Sequence, residues 1–345
     1  MPLDGGTFAG ADLSGAALAD GLFFETDFRG ARFAGASLAR ARFLKCDLAG
    51  ADFRGALLDG VGFLDCRLAD ADFTGARLFE ANLAKCDLTR GRLAGVAIER
   101  THLLVSDLTD ADLSGARIAT SALLDCVLER VDLEGARLDN VAVTKADLRT
   151  ARLAGLACDT VLLAEADLSD RDLTGLTLAR VNLTKAKLVR TRLAGADLSG
   201  DLFVGADLSG ADLAGVRAPS AIFAGADLGG ARLAGAELTL ANFQDARLDG
   251  ADLSDAELVM VVASGAQAGG ARFDGARLDY ARLDGAVLDA ARFDGARFLR
   301  TDFHRAATEG LVAFGASGER LPTEPARAIA ELYDPRRVAD AAERS

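Results

Sequence analysis

Every fifth residue from Leu3 to Phe303 is large and apolar, with no insertion or deletion to break the count. Only Cys158, Ala218, Ala263 and Ala268 depart from Leu, Phe, Ile or Val at these positions. Two residues earlier stands a small residue, usually Ala; Met1, Leu156, Arg171, Leu176 and Asp201 are exceptions. The other positions are mostly polar, charged or Gly. Alternate residues of an extended chain share a face. The small and the large residue therefore both point inward, the residue between them points out, and the rest turn a corner. A helix needs apolar spacings of three and four, which strict fives do not supply. The pattern predicts an all-β solenoid in which each five-residue phrase is one short side of a coil.

A second period gives the number of sides. Gly15, Gly35, Gly55 and onward to Gly295 lie twenty apart, interrupted only by Asp255. Phe23, Phe43 and Phe63 repeat that spacing, as do Phe33, Phe53 and Phe73; Cys46, Cys66, Cys86 and Cys126 are multiples of twenty apart. Twenty residues per coil at five per side means four sides. Residues twenty apart then stack on neighbouring coils, and about 15 coils at ~4.8 Å each make a rod roughly 72 Å long.

The phrases ADLSG at Ala206 to Gly210, ADLAG at Ala211 to Gly215, ANLAK at Ala81 to Lys85 and ANFQD at Ala241 to Asp245 match the consensus A-D/N-L-x-x. Over about residues 1–305 the chain resembles a pentapeptide-repeat protein. The resemblance implies a right-handed, four-sided parallel β-helix. Some members of that family, quinolone-resistance proteins among them, bind DNA gyrase by resembling duplex DNA in shape and charge. Others accompany bacterial secretion machinery, which implies an adaptor role.

Residues 306–345 break the pattern. The stretch TEGLVAFGASGERLP reads as a loop, with Gly and Pro punctuation. Two helices are expected after it, over about 324–333 and 335–344, with Thr323 and Asp334 as caps and Pro335 at a first helical position. An open solenoid end exposes unpaired backbone groups. Leu311, Phe314, Ile329, Leu332 and Tyr333 are the residues expected to cover it.

Charge and composition narrow the function. A net charge of -13 argues against direct binding to nucleic acid or anionic membrane and permits a basic partner. Spread along the rod it is one charge per roughly 5.5 Å, against one per about 1.7 Å in duplex DNA. No signal peptide and no uncharged membrane-spanning run is visible, so a cytoplasmic location is expected. The stacked Cys occupy the small inward slot, where a free thiol packs as a small hydrophobe. No metal site or cofactor is expected. His102 and His304 lie about ten coils apart at outward positions, and no catalytic group is visible; the expectation is a protein that is not an enzyme.

Two outward columns are the candidate sites. On the side built around Phe23, Phe43 and Phe63, the outward positions hold Leu22, Phe24, Leu44, Leu64, Leu104, Leu124, Leu162, Leu202, Val204 and Ile222. This stripe reads as a partner face or homodimer seam, or as Leu lying flat over neighbouring coils. The adjacent side carries Asp27, Asp47, Asp87, Asp107, Asp147, Asp167, Asp207 and Asp227, interrupted by Arg67 and Lys187. It reads as consensus Asp bonding turn amides, or as an acidic strip for a basic partner. Two further expectations concern packing. The losses at Val216–Ser220 and Val261–Gly270 predict a thinner core with a dent or bulge. Arg171 and Asp201, inward on opposite sides, are expected not to pair, the backbone tilting to release each to solvent. The function expected is a non-catalytic binding scaffold; the alternative is a gyrase-binding DNA mimic.

Overall fold

Winding the five-residue phrases gives a parallel β-solenoid of about 15 turns. The computed structural model describes residues 3–321 and 323–325. Backbone partners are twenty residues apart, and each turn carries four short bridging segments, as at Asp207↔Asp227, Asp212↔Arg232, Arg217↔Glu237 and Ile222↔Asn242. The segments stay short because a corner interrupts the chain every five residues. At each corner one residue enters the left-handed region, for example Gly15 at φ 66°, Asp65 at φ 56° and Lys85 at φ 55°. Glycine takes that conformation without a Cβ penalty, which explains its recurrence there.

The core is two interleaved sets of columns. Ala fills the small slots, while Leu and Phe fill the axis. Phe33, Phe53 and Phe73 stack nearly parallel at 4.9 Å between centroids. Phe23, Phe43 and Phe63 form a second stack at 4.7 and 5.0 Å. The two stacks meet edge to face, as Phe53 does with Phe63 at 5.9 Å. A later stack runs through Phe203, Phe223 and Phe243 at 4.8 Å steps. In the small slots, Cys, Ser and Thr share one role. The Cys66 thiol contacts the Phe43 carbonyl at 3.3 Å, and the Ser106 hydroxyl donates to the carbonyls of Leu83 and Leu104 at 3.3 and 3.0 Å. Ser106 thus continues the Cys column rather than interrupting it.

The ladder breaks in three places. No bridge joins Val127 to Asp147, Arg152 to Asp172, or Thr177 to Asp197. Oversized residues in small slots account for two of these. Arg171 occupies a slot meant for Ala, and its Nη1 and Nη2 donate to the carbonyls of Arg149 and Ala151 at 3.0 and 2.5 Å. It thereby takes the acceptor that Asp172 N–H would use. Leu176, in the slot below Ala196, props open the third break. Behind this region lies an apolar void of about 40 Å3, lined by residues from Leu113 to Leu193 without a single aromatic ring. The ladder that contains Phe23, Phe43 and Phe63 stays continuous from Leu3 to Leu321.

Several expectations need correction. The bridges Val287↔Ala307 and Arg292↔Val312, and the strand Ser317–Leu321 paired with Arg297–Asp302, carry the solenoid one coil past residue 305. Over 308–321 the expected loop is therefore a further turn of the solenoid. Leu311 and Ala313 have exchanged large and small slots, which hides the repeat. The register slips between Leu299 and Thr301. There Gly318 sits at φ 97°, and a Cβ would lie 1.6 Å from the Phe298 carbonyl oxygen. Phe314, expected to cover the solenoid end, is 86% exposed. The C-terminal helices, and with them Ile329, Leu332 and Tyr333, lie outside the described residues apart from Glu324 and Pro325. His304 is buried rather than outward, and its Nδ1 accepts from the Glu324 N–H at 3.2 Å. Asp201 is buried, not released. Around Ala263 and Ala268 the core thins to a void of about 20 Å3, but the ladder there and at Arg217 is continuous, without a bulge.

Candidate functional site

The outward residues of the continuous ladder form two parallel tracks. One runs Leu22, Arg42, Gly62, Asn82, His102; the other runs Phe24, Leu44, Leu64, Ala84, Leu104, Leu124. Farther along, Leu162, Leu202 and Ile222 continue the first track, and Val204 lies on the second. The structure thus divides the expected apolar stripe between the two. Leu22, Leu64 and Val204 are exposed, while Phe24, Leu44, Leu104, Leu124, Leu162, Leu202 and Ile222 are half-buried against neighbouring coils. Beside Leu104, Val105 holds a corner at φ 52° and is 58% exposed. A β-branched residue in that conformation is strained, and sequence reading by columns passed it over. It also passed over Leu240, Met260 and Tyr280, exposed corner residues of three successive coils.

The tracks enclose a hollow of about 510 Å3 between Arg42 and His102. It exists because Gly62 has no side chain. A Cβ there would lie 2.8 Å from Arg42 Cδ. Arg42 instead lies flat, its Nη1 donating to the carbonyls of Arg40, Ala41 and Gly60 at 3.2, 3.1 and 2.6 Å. Glu80 on the rim is held by Arg100 at 3.2 Å. Two glycines two residues apart, Gly60 and Gly62, were the sequence signal for this site; only the first falls on a corner.

The acidic column comes in two runs, Asp27 to Asp107 and Asp147 to Asp227, separated by the ladder break after Val127, and every member caps a turn. Oδ1 of Asp27, Asp47, Asp87, Asp107, Asp147, Asp167, Asp207 and Asp227 accepts from the N–H two residues on, at 2.9 to 3.2 Å. Cations also line it. Arg29 bonds Asp27 at 2.8 Å, Arg67 bonds Asp47 at 3.0 Å, Arg149 bonds Asp147 at 2.7 Å and Arg247 bonds Asp227 at 2.9 Å. The Arg29 guanidinium holds the Asp27 carboxyl down at about 2. Such Asp side chains replace backbone turn bonds, so each carboxylate already serves its own chain, with Asp87, Asp107 and Asp207 bonded to Thr89, Thr109 and Ser209 rather than to a cation.

Burial pushes the thiols of Cys86 and Cys158 up to about 12, while the hydrogen bond with the Cys66 thiol lowers that of its neighbour Cys46. Among the described residues no group of three or more His, Cys, Asp and Glu is placed to hold a metal ion.

With the solenoid and its ladders in place, comparison with known proteins gives the class. The family description "Pentapeptide repeats" matches in 8 copies over residues 22–61, 65–95, 106–141, 162–200, 202–239, 221–258 and 264–306, and the chain belongs to that family. Among solved structures it is similar to HetL, a pentapeptide repeat protein involved in heterocyst differentiation regulation from the cyanobacterium Nostoc sp. strain PCC 7120. Identity is 28%, covering 65% of this chain and 87% of that one, with a TM-score of 0.40. It is similar to QnrB1, a plasmid-mediated fluoroquinolone resistance protein, at 26% identity over 53% and 83%, with a TM-score of 0.37. A pentapeptide repeat protein of the Arabidopsis thaliana thylakoid lumen is 33% identical over 29% and 69%, with a TM-score of 0.28. No curated protein matches.

Proposed function

We propose that the protein is a non-catalytic docking rod of the cytoplasm, wound right-handed and four-sided as its family membership implies, which binds a protein partner on the two-track face. The observation that carries this reading is the position of the exposed apolar residues. Leu22, Leu64 and Val204 are exposed, among half-buried Leu44, Leu104 and Leu124, on the one ladder that runs unbroken from Leu3 to Leu321 among the described residues, while Leu57, Val127, Val312 and Phe314 are exposed singly on other sides, so the face holds its side chains at fixed spacing. A preorganised surface loses less freedom on binding. Photocrosslinking in cells that make the protein tests the reading. A benzophenone amino acid at Leu44 or Leu64 is expected to trap one defined partner, with the crosslink lost when the other Leu is changed to Glu. The same probe at Asp167 is expected to trap none. Crosslinks from Asp167 alone would overturn it; crosslinks between copies of the chain would make the face a homodimer seam.

The second reading, a gyrase-binding DNA mimic, draws support from the net charge of -13 and the similarity to QnrB1. The turn-capping and Arg-pairing of the acidic column weigh against it. A gyrase supercoiling assay with and without a quinolone separates the two. Inhibition or protection that disappears with Asp147→Lys and Asp167→Lys favours mimicry. No effect favours the docking rod.

A further inference from the structure

The geometry points to the hollow over Gly62 as a recognition pocket for an acidic–apolar segment of a partner polypeptide, a carboxylate two residues from an apolar side chain. This rests on the docking reading and adds the chemistry of the partner. Three observations carry it. First, Arg42 forms no ion pair, and its Nε and Nη2 have no acceptor among the described residues, although three carbonyls lock the side chain in place. Rigid, unpaired guanidinium donors suit a carboxylate. Second, the neighbours on its track, Asn82 and His102, are exposed and likewise have no side-chain partner among the described residues, while the lining carboxylate Glu80 is occupied by Arg100 and Asp20, which feels the Arg42 charge, is occupied by Arg40. The hollow is thus a donor-rich spot on a chain of net charge -13. Third, Leu44 and Leu64 stand on the second track, two residues along the same strands.

That offset sets the ligand's spacing. Side chains i and i+2 of an extended strand share a face about 6.8 Å apart. An extended peptide lying along the strands presents its own i and i+2 side chains at the same separation. A Glu at i meets Arg42, and a Leu at i+2 meets Leu44 and Leu64. Gly62 leaves room for the first contact, and any larger residue closes it by displacing Arg42.

The test titrates the blocked tripeptide acetyl-Glu-Ala-Leu-amide into the full chain carrying methyl-labelled Leu. Shifts are expected at the methyls of Leu44 and Leu64, saturating in the millimolar range. Replacing Glu by Gln in the peptide, or Arg42→Ala in the protein, is expected to weaken binding about tenfold, the loss of one charge-assisted hydrogen bond. Gly62→Ala is expected to weaken it similarly, with the remaining methyl spectrum unchanged to show an intact fold. Binding that is absent, or indifferent to all three changes, overturns the pocket. So does equal binding of acetate, which would mean an anion spot without the apolar track. Peptide-free shifts that grow with protein concentration would replace the peptide by a second copy. If photocrosslinks map to Leu44 and Leu64 while Arg42→Ala leaves them unchanged, the docking face stands and the pocket falls.

Discussion

From Phe23 to Phe73 two columns of rings run side by side, stacked along the axis and locked edge to face. From Leu113 to Leu193 the phrases keep the same length and register, but no ring fills the axis and a void of about 40 Å3 remains. All three breaks in the ladder fall in or at the edge of this second region. The difference teaches that five-residue spacing alone specifies the path of the chain, not its stiffness. Stiffness depends on how well the axis is filled and on whether the small slots hold small residues. Packing at crystal-like density is felt to a single methylene, so Leu at Phe positions and Arg171 or Leu176 at Ala positions loosen coils whose backbone path is unchanged. The candidate docking hollow lies at the edge of the ring-filled coils, on the ladder that does not break.

The largest expected effect comes from removing a ring. Phe53→Ala deletes contacts to Phe33, Phe63 and Phe73 and should cost about 3–5 kcal/mol, whereas Leu148→Ala, beside an existing void, should cost nearer 2 kcal/mol. Urea unfolding of both variants checks this; equal costs would erase the contrast.

Asp201 marks the boundary between the loose middle and the next ring stack. Its Oδ1 accepts from Val181 N–H at 2.8 Å, its Oδ2 has no partner, and burial raises the carboxyl from 3.8 to about 6. The folded state therefore holds a proton that the unfolded chain releases. Stability from this group is greatest below about pH 4, falls as pH rises toward 6 and is flat above, a loss of at most about 3 kcal/mol. Asp201→Asn should remove that fall and raise stability at neutral pH, read from urea midpoints across the range.

A smaller effect is expected from Arg171→Ala, which returns a small residue to its slot. Asp172 N–H can then reach the Ala151 carbonyl, and the amides of Leu153 and Asp172 should exchange about tenfold more slowly, as for one regained hydrogen bond. Unchanged exchange would show that Arg171 is not the wedge. The smallest effect belongs to Asp27, whose lowered value acts oppositely to Asp201. Its contribution is present above about pH 4 and is lost as pH falls toward 2. Arg29→Ala should narrow that acid dependence, visible as a shift in the acid-unfolding midpoint.

Most of the solenoid was legible because its two periods leave little freedom: residues five apart must share the axis, and residues twenty apart must stack. The last coil was not, because Leu311 and Ala313 trade places and Thr308 and Gly318 replace large residues, although the corner glycines Gly310 and Gly315 keep count. The ladder breaks left traces in Arg171 and Leu176, but a pattern does not say whether an oversized side chain swings out or pries coils apart. The apolar stripe and the acidic column were both visible as columns. Their meaning was not, since turn-capping by Asp and the flat course of Arg42 depend on atoms two residues or one coil away.

The central claim is that the two-track face rides on the stiffest and most continuous part of the rod. Hydrogen exchange along the full chain tests it most directly. The account predicts that amides at 42–44, 62–64, 82–84 and 102–104 exchange last, and that those at 126–130, 151–155 and 176–180 exchange first within the coils between residues 21 and 300. Uniform exchange, or protection greatest in the Leu-only middle, would contradict it.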